Sequence, residues 1–366
     1  MMPKRLVFHT ASLRGGGAER VFVLMANEMA ARGHDVTLFT WNAEGPNADL
    51  LSATVRLIDL GLPIRGEGFG KPATLKGLWQ SIRILRQLKP DAVFSAPEFA
   101  NLIIALALLA GGSRAKFFPS FHAAASLPSN DFGARLAIVL SAVIAARATR
   151  AIAVSAGVGN DLAARGFSAA KIAVINNPLP PGLAHPAERA AAASDDVGPV
   201  IATAGRLVPV KDHHTLLRAF AALPGFPRAR LQIFGEGPLE GELRAAAAEL
   251  GIADRVLFAG YVKDPSVCYA TADLFVLSST SEGFGNVLIE AMAAGVPVVS
   301  TDAPHGPREI LSEGKFGSLT PVGDAGALAT AMADTLRHPI APETLRRRAA
   351  DFSPERIGDR YEALFG

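Results

Sequence analysis

At 366 residues the chain exceeds the roughly 250–300 residues at which one hydrophobic core stops growing, so two domains are expected. Its single cysteine, Cys268, excludes an intramolecular disulfide and thiolate metal clusters, fits a reducing compartment, and reads as a small buried hydrophobe. The net charge of +2 hides a split, because residues 1–180 carry 19 Lys+Arg against 11 Asp+Glu (+8) and the rest 17 against 23 (−6); the first half is basic, the second acidic, and no nucleic-acid partner is expected.

In chain order the first half gives six short β-rich runs, "RLVFHT", "HDVTLFT", "VRLIDL", "DAVFSA", "AKFFPS" and "RAIAVS". Each is followed by a glycine-containing loop or an alanine- and leucine-rich helical pattern. The first run is broken at once by "SLRGGGAER", so no secretory leader is expected. The most apolar stretches, "NLIIALALLAGG" and "RLAIVLSAVIAARATRAIAVSA", are too short or too interrupted by arginine for a hydrocarbon core of about 30 Å and read as buried helices. After Asn177 the proline-rich "PLPPGLAHPAERAAAASDDVGP" reads as an interdomain linker. The alternation restarts with "VIATAG", "RLQIFG", "RVLFAG", "DLFVLS", "PVVST" and "FGSLT". Strands alternating with helices predict parallel sheets covered on both faces, hence an α/β chain of two Rossmann-like domains, residues 1–180 and 181–345. Ligands of such sheets bind at the carboxyl ends of the strands, which places the expected site in a cleft between the domains.

The loops at those strand ends carry the candidate chemistry. "GGGAER", Gly15 to Arg20, opens a helix after the first strand, and Gly16 and Gly17 allow close backbone approach by a ligand. It is not G-x-G-x-x-G, and Asp35, close in spacing to the expected ribose acid, lies before the next strand instead of at its end, which argues against a nicotinamide dehydrogenase. In "TAGRLVPVKDH" Arg206 and Lys211 follow the first strand of the second half, where two cations suit a diphosphate. "FGEGPLEGEL" and "FAGYVKD" repeat the pattern at neighbouring strand ends. Gly235, Tyr261 and Val262 there are candidates to wall a base pocket, although turn chemistry explains these loops equally well. In "SEGFGNVLIEAMAAG" two acids, Glu282 and Glu290, flank Gly283, Phe284, Gly285 and Asn286 at an expected helix start. A helix start favours anions. Two carboxylates there make sense only for a ligand that combines phosphate with hydroxyls.

Together, "GGGAERVFVLMANEMAARGHDVTLFT", "AGRLVPVKD", "FGEGPL", "SSTSEGFGNVLIEAMAAGVPVVSTD" and Asn177-Pro178 resemble the retaining GT-B glycosyltransferases of family GT4 over nearly the whole chain. The resemblance implies a nucleotide diphosphate sugar as donor. It implies that Glu290 accepts from ribose hydroxyls, that Glu282 accepts from hydroxyls of the transferred sugar, and that the N–H groups of Phe284, Gly285 and Asn286 meet the phosphates. Arg206 and Lys211 are then the charges that stabilise the departing diphosphate, and His122 in "PSFHAA" hydrogen-bonds the sugar from the acceptor side. It implies retention of configuration, and the absence of a D-x-D motif agrees with a reaction needing neither metal nor cofactor. The closing stretch from about residue 346 to 366 is expected to cross back onto the first domain. "APHGPREIL" resembles segments of members that transfer N-acetylated hexosamines to lipid-linked sugars, which makes a UDP-activated N-acetylhexosamine, or a hexose, the expected donor and a lipid-linked or polysaccharide chain the expected acceptor.

Between Glu67 and Asp91 lie Lys71, Lys76, Arg83, Arg86 and Lys89 with no acid, and Leu75, Leu78, Ile82 and Leu85 recur at helical spacing beside Trp79. Either this stripe packs on the first sheet, or the helix docks a cytoplasmic protein on the anionic inner face of a membrane. Two other function classes stay open from sequence: a noncatalytic subunit on a transferase fold, and a two-domain oxidoreductase.

Overall fold

A computed structural model describes residues 2–14, 16–64, 68–123, 132–183 and 198–366, the side chains of 132–135 excepted. Gly15 and most of the expected linker, residues 184–197, lie outside the described residues. The chain forms two units, Met1–Pro178 with Pro354–Gly366, and Leu179–Ser353.

The first unit is built on β1 (Arg5–Ser12), β2 (Asp35–Asn42), β3 (Arg56–Asp59), β4 (Ala92–Ser95), β5 (Lys116–Phe121), β6 (Ala151–Ala153) and β7 (Ile172–Val174). They pair in parallel in the order β3-β2-β1-β4-β5-β6-β7. The second unit holds β8 (Val200–Ala204), β9 (Arg230–Phe234), β10 (Val256–Gly260), β11 (Leu274–Leu277), β12 (Val298–Thr301) and β13 (Ser318–Thr320), also all parallel, in the order β10-β9-β8-β11-β12-β13. Central strands such as β4 and β11 are buried at every residue. Helices covering both faces of a parallel sheet dictate that, and it is why these strands read as unbroken apolar runs. Each unit is therefore Rossmann-like, with a point beside its first strand (β1/β4, β8/β11) where the strand order reverses.

The first core stacks Phe8 on Phe94 (centroids 4.8 Å) and Phe94 on Phe118 (5.0 Å). The returning helix Pro354–Phe365 completes it by burying Ile357, Tyr361, Leu364 and Phe365. Arg32 anchors that helix, with ion pairs to Asp359 at 2.8 Å and Glu362 at 2.6 Å, and His34 meets Glu362 at 3.0 Å. The return begins at Pro354, later than residue 346, because the preceding helix Pro342–Ala349 belongs to the second unit. There Leu345 and Ala349 are buried, and Arg348 donates to the carbonyls of Ile310 (2.9 Å) and Glu309 (2.8 Å).

The basic helix Lys71–Leu88 buries Gly77, Ser81 and Leu85, so that of the expected stripe Leu85 is buried, Leu78 and Ile82 are half-buried and Leu75 is exposed. Trp41 from β2 selects this face: its Nε1 donates to Ser81 Oγ at 3.1 Å, and a Cβ at Gly77 would come within 2.6 Å of its ring. Leu75 and Trp79 are consequently 70% and 59% exposed. Among the described residues no helix is long and apolar enough to cross a membrane.

A cavity of about 590 Å³ opens at the amino ends of β1, β4 and β5, lined by Lys4, Arg5, Arg86, Lys89, Arg114 and Lys116. Helix carboxyl ends hold two of these cations, and Arg5 faces Asp91 at 3.6 Å. Arg86 donates to the carbonyls of Ala110 (3.1 Å) and Gly111 (3.3 Å) at the end of the helix Glu98–Ala110. Lys116 donates to the Phe365 carbonyl at 3.1 Å. Cations at such ends neutralise the helix dipole.

Candidate functional site

In the second unit the crevice at the strand-order reversal lies between the loops that follow β8 and β11. These loops are stitched together: Thr280 N donates to Val210 O at 2.8 Å and Ser278 Oγ to Lys211 O at 2.8 Å. The stitching brings Lys211 Nζ to Glu282 Oε1 at 2.6 Å, where Ser279 Oγ also donates at 2.6 Å. Oε1 is thus committed, and Oε2 remains for further donors. Glu282 N donates to Pro304 O at 3.1 Å, which fixes the backbone of the acidic residue. Arg206, in the same β8 loop, is exposed and holds no side-chain hydrogen bond or ion pair among the described residues.

Downstream of Glu282 the chain turns into the helix Asn286–Ala293 through Gly285, whose φ of 103° is a conformation that L side chains rarely adopt. No side chain caps this helix. Phe284 anchors the turn, its ring 5.5 Å from Phe352. The "APHGP" segment closes over it. Gly306 (φ 110°) packs on the Phe284 backbone, where a Cβ would overlap the Phe284 carbonyl.

One turn into the helix Glu290 is buried, and its Oε2 accepts from Tyr269 Oη at 2.8 Å. The two acids therefore differ in environment, Glu282 cation-paired near the surface and Glu290 enclosed. Burial, helped by the Glu290 charge, pushes the Cys268 thiol up to about 12, so that cysteine stays a thiol. Burial and the Lys211 charge together lower His213 to about 4, so the cation at this point is Lys211 and not the imidazole beside it.

The β9 loop backs the β8 loop: a Cβ at Gly235 would overlap the Gly205 carbonyl, and Leu207 N donates to Glu236 O at 2.9 Å. Tyr261 is 55% exposed, and its N–H donates to Glu236 Oε1 at 3.4 Å, while Val262 is half-buried. The structure thus brings together Lys211, Glu282, the turn 283–286 and Glu290, and leaves Arg206 and Tyr261 extended toward solvent.

In the first unit Gly16 precedes the helix Gly17–Ala31, and the Glu19 side chain lies where a Gly16 Cβ would be. Burial holds that carboxyl above its usual range, opposed by a hydrogen bond from its own backbone N–H. Glu98, following β4, is likewise raised by burial, against the pull of Arg165. His122 lies just past β5 with Nε2 3.0 Å from Ser120 Oγ, and burial lowers it to about 3, so it is neutral. Sequence reasoning missed Ser279, Tyr269, Glu19 and Glu98. The hydroxyl run "SSTS" before Glu282 was a readable signal for Ser279 alone.

A family model described as Glycosyltransferase Family 4 matches residues 15–182, and one described as Glycosyl transferases group 1 matches residues 185–352. The lipopolysaccharide core biosynthesis glycosyltransferase LpsE of Rhizobium meliloti (strain 1021) is 30% identical over 366 residues, 96% of each chain. The chain belongs to glycosyltransferase family 4. The glycosyltransferase shares its GT-B fold with Anabaena Alr3699/HepE in complex with UDP-glucose (TM-score 0.78, 23% identity, 99% of each chain). A similar likeness holds for sucrose-phosphate synthase from Thermosynechococcus elongatus (TM-score 0.81, 21% identity, 99% of this chain and 98% of that one). Among curated relatives, an N-acetylgalactosaminyltransferase of Campylobacter jejuni, whose name specifies a diphospho-undecaprenol acceptor, is 34% identical over 171 residues, 45% of this glycosyltransferase and 46% of that protein. Membership in this family sets the oxidoreductase aside.

Proposed function

We propose that this glycosyltransferase moves a hexose or N-acetylhexosamine from a UDP-sugar to a lipid-linked or polysaccharide acceptor, with retention and without metal or cofactor. The observation that carries the reading is the cluster Lys211–Glu282–Ser279 beside an uncapped helix start, with buried Glu290 one turn beyond. Carboxylates accept from hydroxyls, and an ammonium and a helix start attract phosphate, so one side of this cluster suits sugar and ribose and the other suits a diphosphate. The UDP-glucose held by HepE and the acceptor named for the Campylobacter protein support the donor and acceptor classes.

In the reaction the bond from C1 to the β-phosphate oxygen breaks and a bond from C1 to the acceptor oxygen forms on the same face. The acceptor proton passes to the leaving diphosphate oxygen. Negative charge grows on the β-phosphate, and Lys211, Arg206 and the N–H groups of 283–286 stabilise it more in the transition state than in the ground state. Glu282 Oε2 and Glu290 hold sugar and ribose hydroxyls, the loops of Gly235, Tyr261 and Val262 wall the base, and neutral His122 donates to the sugar. No protein nucleophile is required. The first unit receives the acceptor. Its helix Lys71–Leu88, with Leu75 and Trp79 exposed on the same helix as Lys76 and Arg83, docks it on an anionic membrane.

The test is thermal stabilisation by UDP, GDP and ADP and their sugars in EDTA. A nucleotide at about 100 times its Kd stabilises by about 2.7 kcal/mol. No shift with any nucleotide refutes the donor site, and a shift lost in EDTA refutes metal independence.

A further inference from the structure

The cavity of about 590 Å³ at the amino ends of β1, β4 and β5 lies at the far end of the first sheet from Gly16 and His122. β1 alone has 8 residues, about 25 Å of extended chain, so a ligand of this cavity stands apart from the chemistry at the strand carboxyl ends. The lining holds six cations against one carboxylate, Asp91.

Three of the six are engaged. Arg86 donates to the carbonyls of Ala110 and Gly111, Lys116 donates to that of Phe365, and Arg5 faces Asp91. The other three, Lys4, Lys89 and Arg114, hold no side-chain hydrogen bond or ion pair among the described residues. Unpaired like charges around one cavity repel each other and oppose folding, and a bound anion reverses that repulsion.

The backbone keeps two of the three in place. Lys89 ends the helix Lys71–Leu88 at φ 45° and ψ 57°, a left-handed conformation in which glycine is the usual residue, and the following Pro90 restricts it further. Arg114 stands between the carbonyls of Ser113 and Ala115, and both accept from Arg147 Nη2, at 3.1 and 2.8 Å. A lysine held where glycine fits more easily, and an arginine with both neighbours clamped, are explained by a ligand that needs their charge.

We propose that this cavity is an anion site in which Lys4, Lys89 and Arg114 bind a phosphate group or diphosphate carrying two or more negative charges, either free or as the headgroup of a lipid. Phosphate oxygens accept from several lysine and arginine donors at once, and multiple charge matches three cations. The helix carboxyl ends beside the cavity do not oppose it, because Arg86 and Lys116 already cover carbonyls there. With a headgroup as the source, the site continues the proposed docking helix, on which Leu75 and Trp79 are exposed; with free phosphate it is independent of any membrane.

The test is calorimetric titration with inorganic pyrophosphate at low salt of wild type, of the triple variant Lys4→Gln, Lys89→Gly, Arg114→Gln, and of Lys211→Met in the second unit. The triple variant weakens, by about tenfold or more, a binding event that Lys211→Met retains. Lys89→Gly alone leaves the thermal midpoint at or above that of wild type, because glycine suits the left-handed position, so lost binding is not lost folding. Phosphatidylcholine vesicles containing phosphatidic acid, compared with phosphatidylglycerol at equal surface charge, separate the sources. A preference for phosphatidic acid that the triple variant abolishes assigns the headgroup, and pyrophosphate binding without that preference assigns free phosphate. A triple variant that titrates as wild type overturns the proposal, and so does a wild type that binds no pyrophosphate and does not prefer phosphatidic acid.

Discussion

Removing the ammonium opposite Glu282 should destabilise the second unit and disarm donor use together. Lys211 Nζ lies 2.6 Å from Glu282 Oε1, with the two side chains 23% and 10% exposed. At an effective dielectric of about 20 the gross attraction at that distance is about 6 kcal/mol. Desolvation of both groups cancels most of it, leaving a net coupling of about 1–3 kcal/mol. The Ser279 hydroxyl remains on Oε1 after Lys211→Met, so the stranded carboxylate keeps one donor and the loss stays within that range. The assay is a double-mutant cycle of Lys211→Met, Glu282→Gln and the pair, followed by urea unfolding of the second-unit transition and by kcat for sugar transfer. Each single variant should lose stability, and the double variant should lose less than their sum. Additive losses, within about 0.5 kcal/mol, would show that the contact contributes nothing and refute the reasoning from geometry to coupling. Wild-type kcat in stable Lys211→Met would remove the cation from the diphosphate.

Gly306→Ala places a Cβ against the Phe284 carbonyl at a φ of 110°, so it should cost at least about 1–3 kcal/mol and weaken nucleotide-induced stabilisation; an unchanged thermal midpoint would contradict the close packing. His213 is depressed to about 4 from 6.5, so between these values the unfolded chain binds a proton that the folded one refuses. Stability from its neutral burial is full above pH 6.5 and is lost toward pH 4 by about 1.4 kcal/mol per unit, and the stability difference between wild type and His213→Leu should follow that slope instead of staying flat with pH. Leu75→Ser with Trp79→Ser, and separately Lys76→Gln with Arg83→Gln, should each reduce co-sedimentation with anionic vesicles at low salt; wild type that ignores such vesicles excludes the docking surface.

The parallel sheets were legible because strands buried on both faces must be apolar throughout, as "AVFS" of β4 and "LFVL" of β11 are. The glycine turn and helix start between Glu282 and Glu290 were legible because they are a purely local arrangement. Packing partners were not. The helix Lys71–Leu88 has an apolar stripe by periodicity, yet the face it buries includes Gly77 and Ser81 beside Leu85, since the indole of Trp41 needs a shallow face to lie against. No spacing within 71–88 announces a tryptophan thirty residues earlier. The helix Pro342–Ala349 is as basic and amphipathic as a returning helix might be read to be, but Arg348 finds its acceptors in the Glu309 and Ile310 carbonyls of the second unit. Tyr269 reaches Glu290 only through the fold.

The two units share a strand order and diverge at the helix start beside its reversal, and that divergence bears on which unit takes the diphosphate. After β1 the helix Gly17–Ala31 carries Glu19 in its first turn, and that side chain folds back to the Gly16 position with its carboxyl raised by burial. The positive end of that dipole already has an acidic group of its own. After β11 the nearest acid, Glu282, is drawn to Lys211 and Ser279, and no side chain caps Asn286–Ala293. An anion arriving there meets a helix dipole and an ammonium shared with Glu282, with no acid in the helix's own first turn. At the first unit it would have to displace Glu19 and desolvate against it. The proposal of a diphosphate site in the second unit therefore rests on charge at a few ångströms, which outweighs net charge screened over a Debye length of about 8–10 Å. Two cations of the first unit, Arg86 and Lys116, are held at helix carboxyl ends, and the proposal of a membrane surface rests on those along 71–88.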